Sequence, residues 1–179
     1  MPTWIGFLRA VNVGKRQVKM QTLRELLEGS GFDDVETHIA SGNLKVRSAT
    51  RSAARVETQL RTVISEAFGF DVPVVVRTPA QLTRLAAEAD ALESPIAADA
   101  GRYVTFMSGD LDAAGVQALH DWDVETEAAR VVGNDIVLFL AAGVQGATLT
   151  NARIEKLTGA VGTARNITVV RALAAKWGA

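Results

Sequence analysis

The sequence predicts an α+β protein of two halves, each repeating the order strand, helix, strand, strand, helix, strand. Three observations carry this expectation. Short apolar runs alternate with segments of helical spacing along the chain. Each half holds two strand-like segments joined by turn residues, Ala40-Ser41-Gly42-Asn43 in one and Gly133-Asn134 in the other. The order is complete by residue 78 and begins again beyond it.

In the first half, residues 3–11 hold Trp4, Ile5, Phe7, Leu8 and Val11 in an apolar run that stops at Asn12 and Gly14, a buried strand and its turn. Met20, Leu23, Leu26 and Leu27 recur at helical spacing, with Thr22 and Glu25 placed as a capping box and Gly29 and Gly31 as stop signals. Residues 35–39 and 44–47 form the arms of a hairpin. Ser52 caps a second helix with Val56, Leu60, Ile64 and Phe68 on one face, Gly69 closes it, and residues 72–76 return as a strand. This is the split βαβ order of ferredoxin-like domains, and residues 1–78 are assigned to one such half.

Thr78-Pro79-Ala80-Gln81 combines an N-cap, a proline at the first helical position and a glutamine three residues after the cap. It opens a linking helix that Ser94-Pro95 ends. Residues 103–107 read as a strand, 111–119 as a helix, and 124–132 with 135–141 as a hairpin. Residues 150–157 form a helix stopped by Gly159, but the glycine-rich stretch to Thr163 is too short to predict a full fourth strand. Asn166 then caps a closing helix with Val169, Val170, Leu173 and Trp177 on one face. Residues 79–179 are therefore assigned to the linking helix, a second and less regular ferredoxin-like half, and a C-terminal helix. Tandem halves with antiparallel sheets are the expected fold.

Composition limits the chemistry. Nineteen Lys and Arg against twenty Asp and Glu give a formal charge of -1, so no bulk positive field draws the chain to nucleic acid, and an anion site must be local. The absence of cysteine excludes disulfides, thiolate metal sites and a cysteine nucleophile. No apolar run approaches the roughly 20 residues of a membrane span, and Met1-Pro2-Thr3-Trp4 lacks an export pattern, so a cytoplasmic protein without a membrane partner is expected.

The split βαβ order brings the loop after the first strand and the hairpin loop to one end of the sheet. The first loop carries Arg9, Asn12, Gly14, Lys15, Arg16 and Lys19, and the second carries Ser41, Gly42 and Asn43. Cations, amides and glycine backbone suit a carboxylate or phosphate. The same residue types also serve plain turns. Thr163-Ala164-Arg165-Asn166 reads as the opening of the last helix, where free N–H groups beside Arg165 suit an anion; Asn166 as a simple cap is the plainer reading.

Arg9-Ala10-Val11-Asn12-Val13-Gly14 with Val18-Lys19-Met20, then Ser41-Gly42-Asn43, then Thr163-Ala164-Arg165-Asn166, resemble three signatures of the bacterial domain of unknown function 1697 family. The resemblance spans nearly the whole chain and implies two ferredoxin-like halves. It brings no established activity. The family pattern has Gly at the position of Ala10, Tyr at that of His38 and an aromatic at that of Ile167. The matching polar positions Arg9, Asn12, Gly14, Lys19, Ser41, Gly42, Asn43, Thr163, Arg165 and Asn166 are the ligand-binding candidates.

Other chemistry has little support. His38 lies three residues from Ser41 without a third catalytic group, His120-Asp121-Trp122-Asp123 lacks a second ligand cluster, and Glu125 with Glu127 reads as a strand face turned to water. Nucleotide, metal and hydrolase motifs are absent, so no cofactor is expected. Leu44-Lys45-Val46-Arg47 offers no aromatic to stack RNA bases, and Trp4 and Phe7 read as core. The leading expectation is binding of a small phosphate- or carboxylate-bearing ligand by the converging loops, with catalysis open. The alternative is a module that binds protein or nucleic acid, in which these motifs serve the fold.

Overall fold

The computed structural model describes residues 1–122 and 124–178. Two compact units divide the chain: residues 1–82 with the stretch from Lys176 form the first, and Thr83–Ala175 form the second.

The first unit runs β1 (Thr3–Leu8), α1 (Met20–Gly29), β2 (Asp33–His38), β3 (Asn43–Arg47), α2 (Ala53–Phe68) and β4 (Val74–Arg77). Its antiparallel sheet has the order β2-β3-β1-β4. One sheet face presents Trp4, Leu8, Leu44, Val46, Val74 and Val76 to Leu23, Leu27, Val56, Leu60 and Ile64 of the two helices. Alternation puts Ile5, Phe7, Asn43, Lys45, Val75 and Arg77 on the other face. Trp4 and Phe7 are both buried, as expected of core residues.

α3 (Pro79–Ala91) follows directly. Its predicted capping box forms in both directions: the Thr78 N–H donates to Gln81 Oε1 at 2.9 Å, and the Gln81 N–H donates to Thr78 Oγ1 at 3.2 Å. The second unit runs β5 (Gly101–Ser108), α4 (Ala113–His120), β6 (Glu127–Val132), β7 (Asp135–Leu140), α5 (Asn151–Thr158) and β8 (Val161–Asn166), and α6 (Ile167–Trp177) ends the chain. The sheet order is β6-β7-β5-β8. The two units therefore share one topology, and the chain is an α+β protein of tandem split βαβ halves with a C-terminal helix. No helix among the described residues is long and apolar enough to cross a membrane.

Several sequence expectations are corrected. β1 ends at Leu8 rather than running to Val11, because Ala10 and Asn12 take positive φ angles of 52° and 55°. α1 starts at Met20 after Lys19, which makes no side-chain cap, so Thr22 and Glu25 form no capping box. The second half is as regular as the first: β8 is a full six-residue strand paired with β5, and Thr163–Asn166 lie in it rather than in a helix. The glycine there serves packing, not a turn. A Cβ on Gly162 would lie 2.5 Å from Met107 Sδ and 2.9 Å from Thr105 Cγ2, so only glycine lets β8 sit against that core.

Candidate functional site

Leu8 ends β1 with its N–H donating to the Gly42 carbonyl, and Arg9 continues with its N–H donating to the Pro73 carbonyl. The chain then turns back on itself. The Asn12 N–H donates to Arg16 O at 2.6 Å, and the Arg16 N–H donates to Val13 O at 3.1 Å, closing a tight turn with Gly14 at φ 58°. Asn12 holds this loop together. Its Oδ1 accepts from the Val18 N–H at 2.8 Å, while its Nδ2 donates to Val18 O at 3.0 Å and to Ala40 O at 2.5 Å in the hairpin loop. One side chain thus delivers the chain to α1 and binds the two loops that the topology was expected to bring together.

The hairpin loop has its own scaffold. Gly42 sits at φ 85°, and an added Cβ would meet Val11 Cγ2 at 2.6 Å and Leu8 Cβ at 2.8 Å. Asn43 is fully buried, and its Nδ2 donates to His38 O and Ser41 Oγ, each at 3.0 Å. His38 packs edge-on against Trp177 with ring centroids 6.2 Å apart.

Against this frame, Gly14, Lys15, Lys19 and Ser41 are exposed. Arg16 is committed elsewhere: its Nε donates to Ala10 O at 2.8 Å, its Nη2 to the Asp71 carbonyl, and its guanidinium lies over the Phe70 ring. Arg61 forms a two-pronged pair with the Asp71 carboxylate at 2.7 Å per bond. That hydrogen bonding, aided by the charges of Arg61, Arg16 and Arg9, holds the Asp71 carboxyl below its ordinary value despite some burial. Three arginines therefore surround one acid. Local sequence deepens the imbalance: residues 1–24 contain Arg9, Lys15, Arg16, Lys19 and Arg24 and no Asp or Glu. α1 opens here without a side-chain cap and without an acid in its first turn.

The third motif lies in the second unit. Thr163 and Arg165 share the β8 face that points away from α4 and α5, opposite Phe106 and Val104 of β5. Arg165 Nη1 donates to Thr163 Oγ1 at 2.8 Å and to Ala164 O at 2.9 Å. The residue is only 8% exposed, and burial lowers the guanidinium pKa to about 10. Asn166 ends β8, and its Oδ1 accepts from the Thr168 N–H at 2.8 Å in the first turn of α6.

Shared topology shows a residue that the sequence reading missed. Arg77 stands beside Ile5 on β1 as Arg165 stands beside Val104 on β5. Each arginine is followed by a residue that bonds into the start of the next helix, Thr78 before α3 and Asn166 before α6. Each donates from Nη1 to the carbonyl of the preceding residue. The strand–Arg–cap–helix pattern is visible in sequence only when the two halves are aligned.

Glu127 also corrects an expectation. It does not face water: it is 4% exposed, and its carboxylate accepts from the Thr148 and Leu149 N–H groups, the Thr148 hydroxyl and the Trp122 indole. Burial alone would raise its pKa, but those bonds outweigh burial and lower it. Its partners lie 21 and 22 residues away in one direction and five in the other, so no local pattern marks it. Glu125 is exposed. Asp123 of the His120–Asp123 group lies outside the described residues, and among the described residues no three His, Cys, Asp or Glu are placed to hold a metal ion.

Fold and loops together define a tandem ferredoxin-like protein with a basic loop end on its first unit. Residues 1–137 match the protein family of unknown function DUF1697, and the chain belongs to that family. The matched stretch contains the first two motifs and ends before Thr163. The chain is also similar in structure to the conserved bacterial protein SP0830 from Streptococcus pneumoniae, with a TM-score of 0.74 and 20% identity over 100% of this chain and 99% of that one. That likeness speaks for the fold. No curated protein matches the chain.

Proposed function

We propose that the chain binds a small phosphate- or carboxylate-bearing ligand at the loop end of the first unit. The observation that carries this reading is the uncapped start of α1 behind an acid-free segment with four cations, Arg9, Lys15, Arg16 and Lys19, held in place by Asn12. A helix start offers N–H groups and a positive dipole end, and Lys15 and Lys19 add charge beside it. Asn12, Gly42 and Asn43 act as scaffold, while Gly14, Lys19 and Ser41 meet the ligand and Arg9 adds to the local field. Thr163, Arg165 and Asn166 are a second candidate for the same chemistry. An anion beside Arg165 would offset the loss of hydration that lowers its pKa.

Calorimetric titration with inorganic phosphate, pyrophosphate and citrate tests the reading, run on the wild type, a Lys15→Ala/Lys19→Ala variant and Arg165→Ala. Saturable binding lost in the lysine variant supports the first-unit site, and loss only in Arg165→Ala moves the site to the second unit. Silence from all three probes removes the proposal for those ligand classes.

A second reading has its own support. Val13 and Ile39 are 63% and 49% exposed on the two loops that Asn12 joins, beside exposed lysines. An apolar, basic tip of that kind suits an acidic protein or nucleic-acid partner. Salt-sensitive binding of single-stranded RNA that is lost in a Val13→Ser/Ile39→Ser variant, with no response to phosphate, would favour it.

A further inference from the structure

At the end of the first unit's sheet opposite those loops, a cavity of about 410 Å³ opens between the end of α1, the β3–α2 connection and α2. Its size falls within the roughly 300–1,000 Å³ of small-molecule sites. None of its ten lining residues carries a charge. Its polar groups are hydroxyls and one carboxamide, and their bonds within the fold leave a specific remainder.

Ser48 Oγ accepts from the Thr50 N–H at 3.1 Å, so its own proton is available to a ligand. Thr50 Oγ1 donates to Gln59 Oε1 at 3.2 Å, which orients the carboxamide and leaves both Nε2 protons without a partner among the described residues. Thr62 contributes a hydroxyl with no partner among those residues. The hydroxyls of Ser30 and Thr58 donate to Leu26 O and Ala54 O, so their oxygens face outward as acceptors. Phe32 and Val63 supply apolar wall.

We propose that this cavity binds an uncharged polyhydroxylated ligand of the monosaccharide class. Each sugar hydroxyl both donates and accepts, which matches the mixed donors and acceptors, and its C–H face matches the Phe32 and Val63 wall. Charged ligands fit poorly. They would lose hydration without meeting a counter-charge among the lining residues. The site is thus chemically opposite to the basic loop end, and the two proposals stand separately.

NMR titration of the ¹⁵N-labelled chain with D-glucose, D-galactose and D-mannose tests this, with glucose 6-phosphate as the charged comparison. Saturable shifts centred on residues 30–32, 48–50 and 58–63 are expected with at least one neutral sugar. Gln59→Ala/Thr62→Ala, both at exposed positions that leave the fold intact, should weaken that binding about tenfold or more. Absence of saturable shifts with all three sugars, shifts centred elsewhere, or unchanged affinity in the variant overturns the proposal. So does tighter binding of glucose 6-phosphate through this same cavity. Shifts from the phosphate sugar at residues 12–20 instead would report on the basic loop and leave the neutral-sugar readout intact.

Discussion

Replacing Glu127 with Gln removes one charge and almost no volume, so its cost isolates what the buried carboxylate does. Oε1 accepts from the Thr148 N–H, while Oε2 accepts from the Thr148 hydroxyl, the Leu149 N–H and the Trp122 indole N–H. A glutamine keeps one oxygen. Set where Oε2 was, that oxygen retains three bonds without the added strength of a charge, and the new NH₂ group faces the Thr148 N–H, which loses its acceptor. Weakened charged bonds and one orphaned buried donor together cost about 3 kcal/mol. For a chain of this length that lowers Tm by roughly 6–12 °C. Chemical denaturation followed by circular dichroism at neutral pH measures the cost, with Glu125→Gln at an exposed neighbour as the control expected to do nothing. The pH dependence has a definite sign. The folded-state pKa of Glu127 lies below the ordinary 4.5, so its contribution is full above that value and disappears as pH falls through the folded one. Wild type and Glu127→Gln should therefore converge in acid. A cost below about 1 kcal/mol at neutral pH, on the scale of an ordinary neutral hydrogen bond, would refute the assigned role. A difference that stays constant down to acid pH would refute the electrostatic argument.

Two further predictions concern packing. Among the described residues Thr105 Oγ1 is buried without a hydrogen-bond partner, so Thr105→Val should raise stability by about 1 kcal/mol; an unchanged or lower denaturation midpoint would mean the hydroxyl is satisfied. Gly42→Ala forces a Cβ into Leu8 and Val11 at a positive φ and should cost about 2 kcal/mol or more, with faster hydrogen exchange at the Leu8 amide; wild-type stability would contradict the close approach.

The element order was legible because apolar periodicity and local caps act within a few residues. Ser52 and Thr78 both cap where the sequence places them. The misread boundaries are those set from a distance. α1 starts where Asn12, eight residues earlier, delivers the chain through Val18, so a local capping box pointed to the wrong turn. β8 looked like a loop because Gly162 reads as a breaker unless the Met107 and Thr105 side chains it admits are known. The candidate loops were legible by residue type, but type does not separate scaffold from contact. Asn12 and Asn43 carry the same amide as a ligand-binding residue and use it to tie carbonyls of the fold. Arg77 became visible only once the common topology placed it beside its counterpart Arg165.

The last turn of α6 belongs with the first unit: Trp177 donates to Glu36 Oε2 at 3.0 Å and stacks edge-on with His38, both on β2, an edge strand of that sheet. Assembly order and chain order therefore disagree. On a ribosome, the unit whose strands emerge first cannot cover that strand until the second unit has been synthesised, so the earliest part of the chain is the last to be finished. Cutting the gene between the two topological repeats would separate the first from residues that complete it, and the repeat in sequence is not a seam in folding.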